Sequence, residues 1–145
     1  MSFFRLTDKL YISPQPNRND AAEAAKLGIT GVICNRPDQE EPDQPTFTEV
    51  SSWFAESGIR NLTHQPVVGP QITESDAEAF AQTLSSHDGP VLAYCRTGTR
   101  CSLLWAMHQA AQGKDAAALI AEVKEKTGLD LGNFEAKLQA AKNAG

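Results

Sequence analysis

A cysteine and two arginines lie close together in residues 91–102, directly after a short apolar run. The run Val91–Tyr94 predicts a buried strand, and Cys95 follows it. A glycine-containing loop comes next, and then a pattern typical of a helix. Backbone N–H groups at the start of a helix, together with the positive end of the helix dipole, bind negative charge. The segment therefore predicts an anion-binding loop around a cysteine.

The same loop suits nucleophilic chemistry. Its field favours the thiolate of Cys95, which is the reactive form of the side chain. Arg100 is spaced to fold back over the loop and to bind an oxyanion with two parallel hydrogen bonds, which a lysine cannot do. We expect Arg96 to point outward and tune the local field. The alternative interpretation is a buried structural cysteine beside two surface arginines.

Length and charge restrict the possible functions. The chain of 145 residues fits a single domain, residues 1–145, with a substantial core. Its net charge of -5 argues against nonspecific binding of nucleic acid. Any positive potential must be local to the Cys95 loop, so small anionic groups are the expected partners. The sequence leaves the oligomeric state open.

The sequence also predicts a location and argues against a metal. No stretch is apolar for long enough to span a membrane, and Met1 to Arg5 lack the pattern of a secretory signal, so we expect a cytoplasmic protein. Three cysteines, Cys34, Cys95 and Cys101, are too few and odd in number for a disulfide framework. They lack histidines at zinc-site spacing, so no metal and no cofactor is expected.

Apolar runs alternate with helical patterns along the chain, which predicts an α/β fold with a largely parallel central sheet flanked by helices. The expected strands are residues 3–6, 10–12, 31–35, 61–68 and the run before Cys95. The expected helices are residues 21–27, capped by Asn19 or Asp20, then helices starting at Thr46 and Thr73, the helix after the Cys95 loop, and residues 116–126 and 133–142. In such a sheet Cys95 lies at the carboxyl ends of the strands, where ligands usually bind.

Two segments carry a resemblance to a known family. Residues 28–37, which end in Cys-Asn-Arg-Pro, and the Tyr-Cys-Arg-Thr-Gly-Thr-Arg run at residues 94–100 resemble the phosphatase-like domain of the bacterial beta-lactamase-hydrolase-like proteins. These are relatives of the dual-specificity and tyrosine phosphatases, and the similarity covers roughly residues 6–110. The resemblance implies a dual-specificity phosphatase-like fold. It also implies hydrolysis of phosphate monoesters of the aryl phosphate or phosphotyrosine type through a cysteinyl-phosphate.

The resemblance assigns roles by position. Cys95 is implied as the nucleophile and Arg100 as the guanidinium that binds the phosphoryl group. The cradling amides would come from Arg96, Thr97, Gly98 and Thr99. In these phosphatases a hydroxyl residue follows the arginine and helps the thiolate to leave; here Cys101 stands there, and Ser102 could take over that part only if the loop adjusts.

Two features depart from the phosphatase pattern. Four residues separate Cys95 from Arg100, where tyrosine phosphatases have five, and this shorter loop resembles that of rhodanese-type sulfurtransferases. No carboxylate stands at residues 69–71, where the general acid of dual-specificity phosphatases would lie; the possible substitutes are Asp38, Glu40, Glu41 and Glu74. A sulfurtransferase with a Cys95 persulfide is therefore the alternative function. A non-catalytic domain that binds sulfate, phosphate or a phosphorylated partner protein is the third.

Three more residues are ambiguous. Cys34 is expected on a strand beside that of Cys95, where it is either a disulfide partner for oxidised Cys95 or, as we favour, a small buried hydrophobe. Cys101 is a second candidate for that pairing, closer in sequence, unless the start of the helix points it away. Arg36 either reaches the rim of the anion site or pairs with Asp38 or Glu40. His64 is expected to be a structural histidine rather than a residue of the pocket.

Overall fold

Five strands form one sheet in the computed structural model, which describes residues 3–145. They are β1 (Phe4–Arg5), β2 (Leu10–Ser13), β3 (Gly31–Cys34), β4 (Leu62–His64) and β5 (Val91–Tyr94). Their order across the sheet is β1-β2-β5-β3-β4. Only the edge strand β1 is antiparallel to its neighbour; β2, β5, β3 and β4 are parallel. The predicted largely parallel sheet is confirmed. Met1 and Ser2, which begin the segment tested above for a secretory signal, lie outside the described residues.

Within residues 3–145 six α-helices flank this sheet: α1 (Arg18–Lys26), α2 (Phe47–Glu56), α3 (Glu74–Ser85), α4 (Thr99–Ala111), α5 (Ala116–Thr127) and α6 (Glu135–Ala144). Thr46 and Thr73 cap α2 and α3 as predicted, because each hydroxyl accepts the backbone N–H three residues on while the carboxylate there accepts in return. Single 3₁₀ turns occupy Gly69–Gln71 and Gly132–Phe134.

The first helix begins earlier than predicted. Asn17, not Asn19 or Asp20, caps α1, and its side-chain oxygen accepts the backbone N–H of Asp20 at 3.0 Å. The Asp20 carboxylate accepts from the Asn17 N–H at 2.8 Å, so Asp20 forms the other half of a capping box. Asp20, which the sequence offered as the cap, is therefore the partner of the capping residue Asn17.

The fourth strand is shorter than predicted, and the difference matters for the site. Pairing stops at His64, and Pro66 has no N–H to continue it. The chain then crosses the carboxyl end of β3, where the Val67 N–H donates to the Asn35 carbonyl at 3.1 Å. Val67 is thereby brought to the edge of the sheet on which Cys95 lies.

The two faces of the sheet bury different sets of side chains. On one face α1 and α2 pack over Val32, Cys34, Leu92 and Tyr94. On the other face α3 to α6 pack over Ile12, Ile33, Ala93 and Cys95. Because side chains alternate along a strand, Tyr94 and Cys95 point to opposite layers. Cys34 therefore shares its layer with Tyr94, and Cys95 shares its layer with Cys101.

Candidate active site

The Cys95 loop turns back onto its own cysteine. It joins β5 to α4 through residues 96–98, and Gly98 occupies the cap of α4 in a left-handed conformation with φ 95°. A Cβ at Gly98 would lie 2.9 Å from Cγ2 of Ile12, so the conformation and the packing both require glycine. The Gly98 N–H donates to Cys95 Sγ at 3.1 Å. Of the loop amides expected to form the cradle, those of Gly98 and Thr97 are directed at the sulfur, whereas the Thr99 N–H donates to Thr97 Oγ1.

The pKa of Cys95 is lowered to about 5 by its neighbours. The largest contribution is the hydrogen bond from the Cys101 thiol, and the backbone N–H groups of Cys101 and Thr97 and the charge of Arg100 add to it. Burial of the thiol opposes these effects but does not outweigh them. The thiol of Cys101 thus donates to the sulfur from the position at which the resemblance implied a hydroxyl. Burial raises the pKa of Cys101 itself, so this residue remains a protonated donor.

The hydroxyl groups of the loop serve its structure. Thr97 Oγ1 donates to Thr99 Oγ1 at 2.9 Å, and the Thr99 N–H donates to Thr97 Oγ1 at 3.3 Å. The Ser102 hydroxyl is buried and donates to the Gly98 carbonyl at 3.0 Å. Ser102 therefore braces the first turn of α4 and leaves the sulfur to Cys101.

Arg100 is fixed by three acceptors. Its Nη1 and Nη2 donate to the two carboxylate oxygens of Glu40 at 2.8 and 2.9 Å, and Nη1 also donates to the Val67 carbonyl at 2.9 Å. Pairing with Arg100 is the main reason that the pKa of Glu40 is lowered. The residue predicted to bind an oxyanion thus lies beside Cys95 and already holds a carboxylate of the protein.

Arg36 lies beneath this pair as a buried cation, with only 3% of its side chain exposed. Its Nε donates to Glu40 at 3.0 Å, its Nη1 to Gln15 at 2.9 Å, and its Nη2 to Glu41. The sequence left Asp38 and Glu40 open as ion-pair partners of Arg36, and in the structure Arg36 pairs with Glu40. Arg36 therefore anchors the loop of residues 37–45, hereafter the acidic loop, against the Cys95 loop.

Arg96 points outward, with 63% of its side chain exposed, and its Nε lies 3.7 Å from Glu41. Its backbone carbonyl accepts the Gln15 N–H at 3.2 Å, so the segment after β2 braces the Cys95 loop from the other side. Sequence reasoning missed Gln15 and Val67. The only available signal was the position of Gln15 just after β2, a neighbour of β5 in the sheet.

The candidate general acids are placed for other tasks. Asp38 Oδ1 accepts the Phe47 N–H at the start of α2 at 2.8 Å. Glu74 lies in the first turn of α3 and lines a cavity with Met107 and His108, away from the Cys95 loop. Glu40 is held as a carboxylate by Arg100 and Arg36. The turn Gly69–Gln71 carries no acidic side chain.

Cys34 and His64 support the backbone of Arg36. The Cys34 thiol donates to the Arg36 carbonyl at 3.3 Å, and burial raises the pKa of Cys34 to about 11. His64 Nε2 donates to the same carbonyl at 2.8 Å, and its ring stacks on Phe47 with centroids 4.6 Å apart. The expectation of a structural histidine is confirmed. All three cysteines are free, and the thiol that hydrogen-bonds to Cys95 is that of Cys101, not that of Cys34.

The Cys95 side chain has no exposed surface in this structure. Among residues 3–145 no group of three or more histidine, cysteine or acidic side chains is placed to hold a metal ion. Within the same residues, no helix combines the length and the apolar character needed to cross a bilayer.

Comparison with known proteins identifies the family. Residues 2–112 match the model of the phosphatase-like domain of beta-lactamase hydrolase-like protein. The chain belongs to this family. Beta-lactamase hydrolase-like proteins from Agrobacterium fabrum (strain C58 / ATCC 33970) and Xylella fastidiosa (strain Temecula1 / ATCC 700964) are 35% and 32% identical to it, over 90% and 91% of its length. The chain spans 30% of the length of each of these relatives.

Solved structures agree with the fold of a phosphatase-like domain. A crystal structure of a "putative phosphatase" from Neisseria meningitidis Z2491 is 44% identical, has a TM-score of 0.93, and is matched over 97% of this chain and 99% of that one. Pseudomonas aeruginosa TpbA in complex with phosphotyrosine is 20% identical, with a TM-score of 0.69, over 99% and 91% of the two chains. The phosphatase-like domain described here therefore has a tyrosine phosphatase-like fold.

Proposed function

We propose that this phosphatase-like domain hydrolyses aryl phosphate monoesters, with phosphotyrosine as the model substrate, through a phosphoryl group carried on Cys95. The observation that supports this most is the low pKa of Cys95, produced by donors that converge on one sulfur. A thiolate at neutral pH, beside an arginine at the opening of a helix, is the arrangement required for attack on a phosphoryl group.

In the first step the Cys95 thiolate attacks phosphorus and forms an S–P bond. The bond from phosphorus to the aryl oxygen breaks, and the aryl oxide leaves with the electron pair. Arg100 and the loop amides stabilise the charge on the equatorial oxygens of the phosphoryl group. The two loops must open slightly for this, since the sulfur has no exposed surface.

In the second step water attacks phosphorus and the S–P bond breaks. The electron pair returns to sulfur, inorganic phosphate leaves, and the proton of the water passes to phosphate or solvent. Cys101 assists this step because its thiol donates to the sulfur and stabilises the departing thiolate.

The missing general acid restricts the substrates. A positioned acid contributes roughly a hundredfold to ten-thousandfold, mostly when the leaving group is strongly basic. Neither Gly69–Gln71 nor the ionised Glu40 offers a proton. Aryl phosphates, whose oxides leave without prior protonation, should therefore react much faster than alkyl phosphates. TpbA in complex with phosphotyrosine has the same fold, which is consistent with an aryl phosphate on a protein.

The test is hydrolysis of p-nitrophenyl phosphate compared with an alkyl phosphate such as glycerol phosphate. We expect phosphate release from the aryl ester that is abolished by Cys95→Ser and retained in Cys34→Ser. Equal rates on both esters would contradict the proposed substrate class. Activity that survives Cys95→Ser would contradict the proposed nucleophile.

Sulfur transfer is the second candidate, favoured by the short loop between Cys95 and Arg100. A persulfide needs the thiolate and the positive field but neither a general acid nor a cradle for a tetrahedral group. Thiosulfate supplied with cyanide tests it. Thiocyanate formation that depends on Cys95, without release of phosphate from aryl esters, would favour the sulfurtransferase.

A further inference from the structure

We propose that Glu40 is a positioning residue, which holds one edge of the Arg100 guanidinium so that the other edge faces an oxyanion at Cys95. The proposal rests on the proposed function only in requiring that an oxyanion binds at Cys95. It gives Glu40 a role beyond the two that the sequence offered, which were a substitute for a general acid and an ion-pair partner of Arg36.

The donors of Arg100 can be counted. A guanidinium has five N–H groups: two on each Nη and one on Nε. Nη1 uses both of its N–H groups, one on Glu40 and one on the Val67 carbonyl, and Nη2 uses one on Glu40. Within residues 3–145, the second N–H of Nη2 and the N–H of Nε have no acceptor. These two lie on the same edge and form a fork that fits two oxygens of a phosphoryl group.

Glu40 is itself held by a second arginine and by its own loop. Its Oε1 also accepts from Arg36, whose side chain is almost completely buried. The Gln44 side chain accepts the N–H groups of Glu40 and Glu41 at 3.0 and 3.3 Å and donates to the Pro37 carbonyl at 2.8 Å. The acidic loop is thus built around Gln44, and the Glu40 carboxylate lies between Arg36 and Arg100.

The charges around Arg100 argue against the two other roles for Glu40. A general acid must carry a proton, and the two arginines favour the ionised form of this carboxylate. A competitor that blocks the site would occupy the edge needed by the oxyanion, whereas Glu40 occupies the terminal edge. Positioning is the role that fits both observations.

Kinetics of Glu40→Gln provide the first test. Gln cannot accept from both Nη groups, so Arg100 loses its alignment, and we expect kcat on p-nitrophenyl phosphate to fall roughly tenfold to a hundredfold. KM should stay the same or fall, because one negative charge is removed beside the bound anion. Glu40→Asp keeps the charge but not the reach, so it should lower kcat as well. A fall in KM without a fall in kcat would overturn the proposal.

A matched control separates position from charge. Asp43 lies in the same loop, is exposed, and forms no ion pair within the described part of the chain. Asp43→Asn removes the same charge and should leave kcat within about twofold, as is usual for exposed loop residues. In an Arg100→Lys background, Glu40→Gln should cause little further loss, because its effect acts through Arg100.

Leaving-group dependence separates positioning from acid catalysis. A positioning residue should lose the same factor on p-nitrophenyl phosphate and on phenyl phosphate, whose leaving group is more basic. A much larger loss on phenyl phosphate would make Glu40 the general acid and overturn the proposal. Increased kcat/KM on both substrates would show that Glu40 competes with substrate, and would overturn it too.

Anion binding gives a test that does not depend on turnover. Protection of Cys95 from iodoacetamide measures the dissociation constants of phosphate and of orthovanadate, which resembles the trigonal transition state. In Glu40→Gln we expect the ratio of vanadate to phosphate dissociation constants to rise at least about tenfold, and in Asp43→Asn to stay unchanged. An unchanged ratio in Glu40→Gln, or no protection of the wild type by either anion, overturns the proposal. Absence of hydrolysis with the expected ratios would refute only the proposed phosphatase activity.

Discussion

Cys34 and Cys95 lie at the carboxyl ends of two adjacent parallel strands, and both are buried, yet their acidities differ widely. The pKa of Cys34 is raised to about 11, and that of Cys95 is lowered to about 5. Burial acts in the same direction on both thiols. The difference therefore comes from what each sulfur meets where its strand ends.

Burial dominates at Cys34, and hydrogen-bond donors dominate at Cys95. At Cys34 the hydrogen bonds with Tyr94 and with the backbone of Arg36 lower the pKa, but they do not offset burial. The Cys95 sulfur accepts from Cys101 and from amides at the start of α4, and Arg100 lies nearby. A buried cysteine at the end of a parallel strand therefore has a low pKa where the next element supplies enough donors to outweigh burial.

The largest effect should come from removing the sulfur of Cys95. Cys95→Ser should lower hydrolysis of aryl phosphate by roughly a thousandfold or more, because the nucleophile is lost. Cys34→Ser keeps a donor for the Arg36 carbonyl and should stay within about threefold of wild type. Steady-state rates of purified, folded proteins measure both. Similar losses of activity in the two variants would contradict the assignment of different roles to Cys95 and Cys34.

The next largest effect should be the difference in kcat between variants of the two arginines in the Cys95 loop. Arg100→Lys removes the planar fork and the bidentate pair with Glu40, so we expect a loss of about a hundredfold in kcat. Arg96→Lys keeps the charge of an exposed side chain and should cost no more than about threefold. Phosphate release at saturating substrate is the measurement, and a larger loss in Arg96→Lys would contradict the assignment.

A smaller, pH-dependent effect should follow from changes at Cys101. Cys101→Ala removes the main donor, so the pKa of Cys95 rises above about 5. Activity should then fall at pH 6 and recover toward pH 8, since the thiolate fraction drops about tenfold for each unit by which the pKa exceeds the pH. Cys101→Ser retains a donor and should keep a profile close to that of wild type. Parallel pH profiles in the Ala and Ser variants would show that this donor is unimportant.

Local patterns predicted the elements of this fold well where side chains act within a few residues. The capping boxes at Thr46 and Thr73 are confirmed because both partners lie in the sequence window that defines the motif. The end of β4 was predicted too late because the path of Val67 depends on a hydrogen bond to Asn35 in another strand. Long-range bonds of this kind leave no periodic signal.

Prediction of the site from the sequence also worked only for residues that are close together along the chain. Cys95, Gly98 and Arg100 could be selected from their order along the chain, since a strand, a loop and a helix place them together. The donor role of Cys101 depends on where α4 begins, and the pairing of Glu40 with Arg100 depends on how the acidic loop folds around Gln44. Most loop carboxylates are simply solvated, so neither contact could be read from residue types alone.

Alkylation of the three cysteines as a function of pH shows directly whether Cys95, and not Cys34, is the thiol with the lowered pKa. The protein is treated with iodoacetamide at pH values from about 4 to about 9, a range that includes the ordinary cysteine pKa of about 8.5. Each cysteine peptide is then quantified by mass spectrometry. Cys95 should react first, with a rate that rises through a midpoint near 5 and is then flat, while Cys34 stays unmodified because its pKa is about 11. A Cys95 midpoint above about 8, or faster modification of Cys34 at pH 6, would show that Cys95 is not the thiol with the lowered pKa.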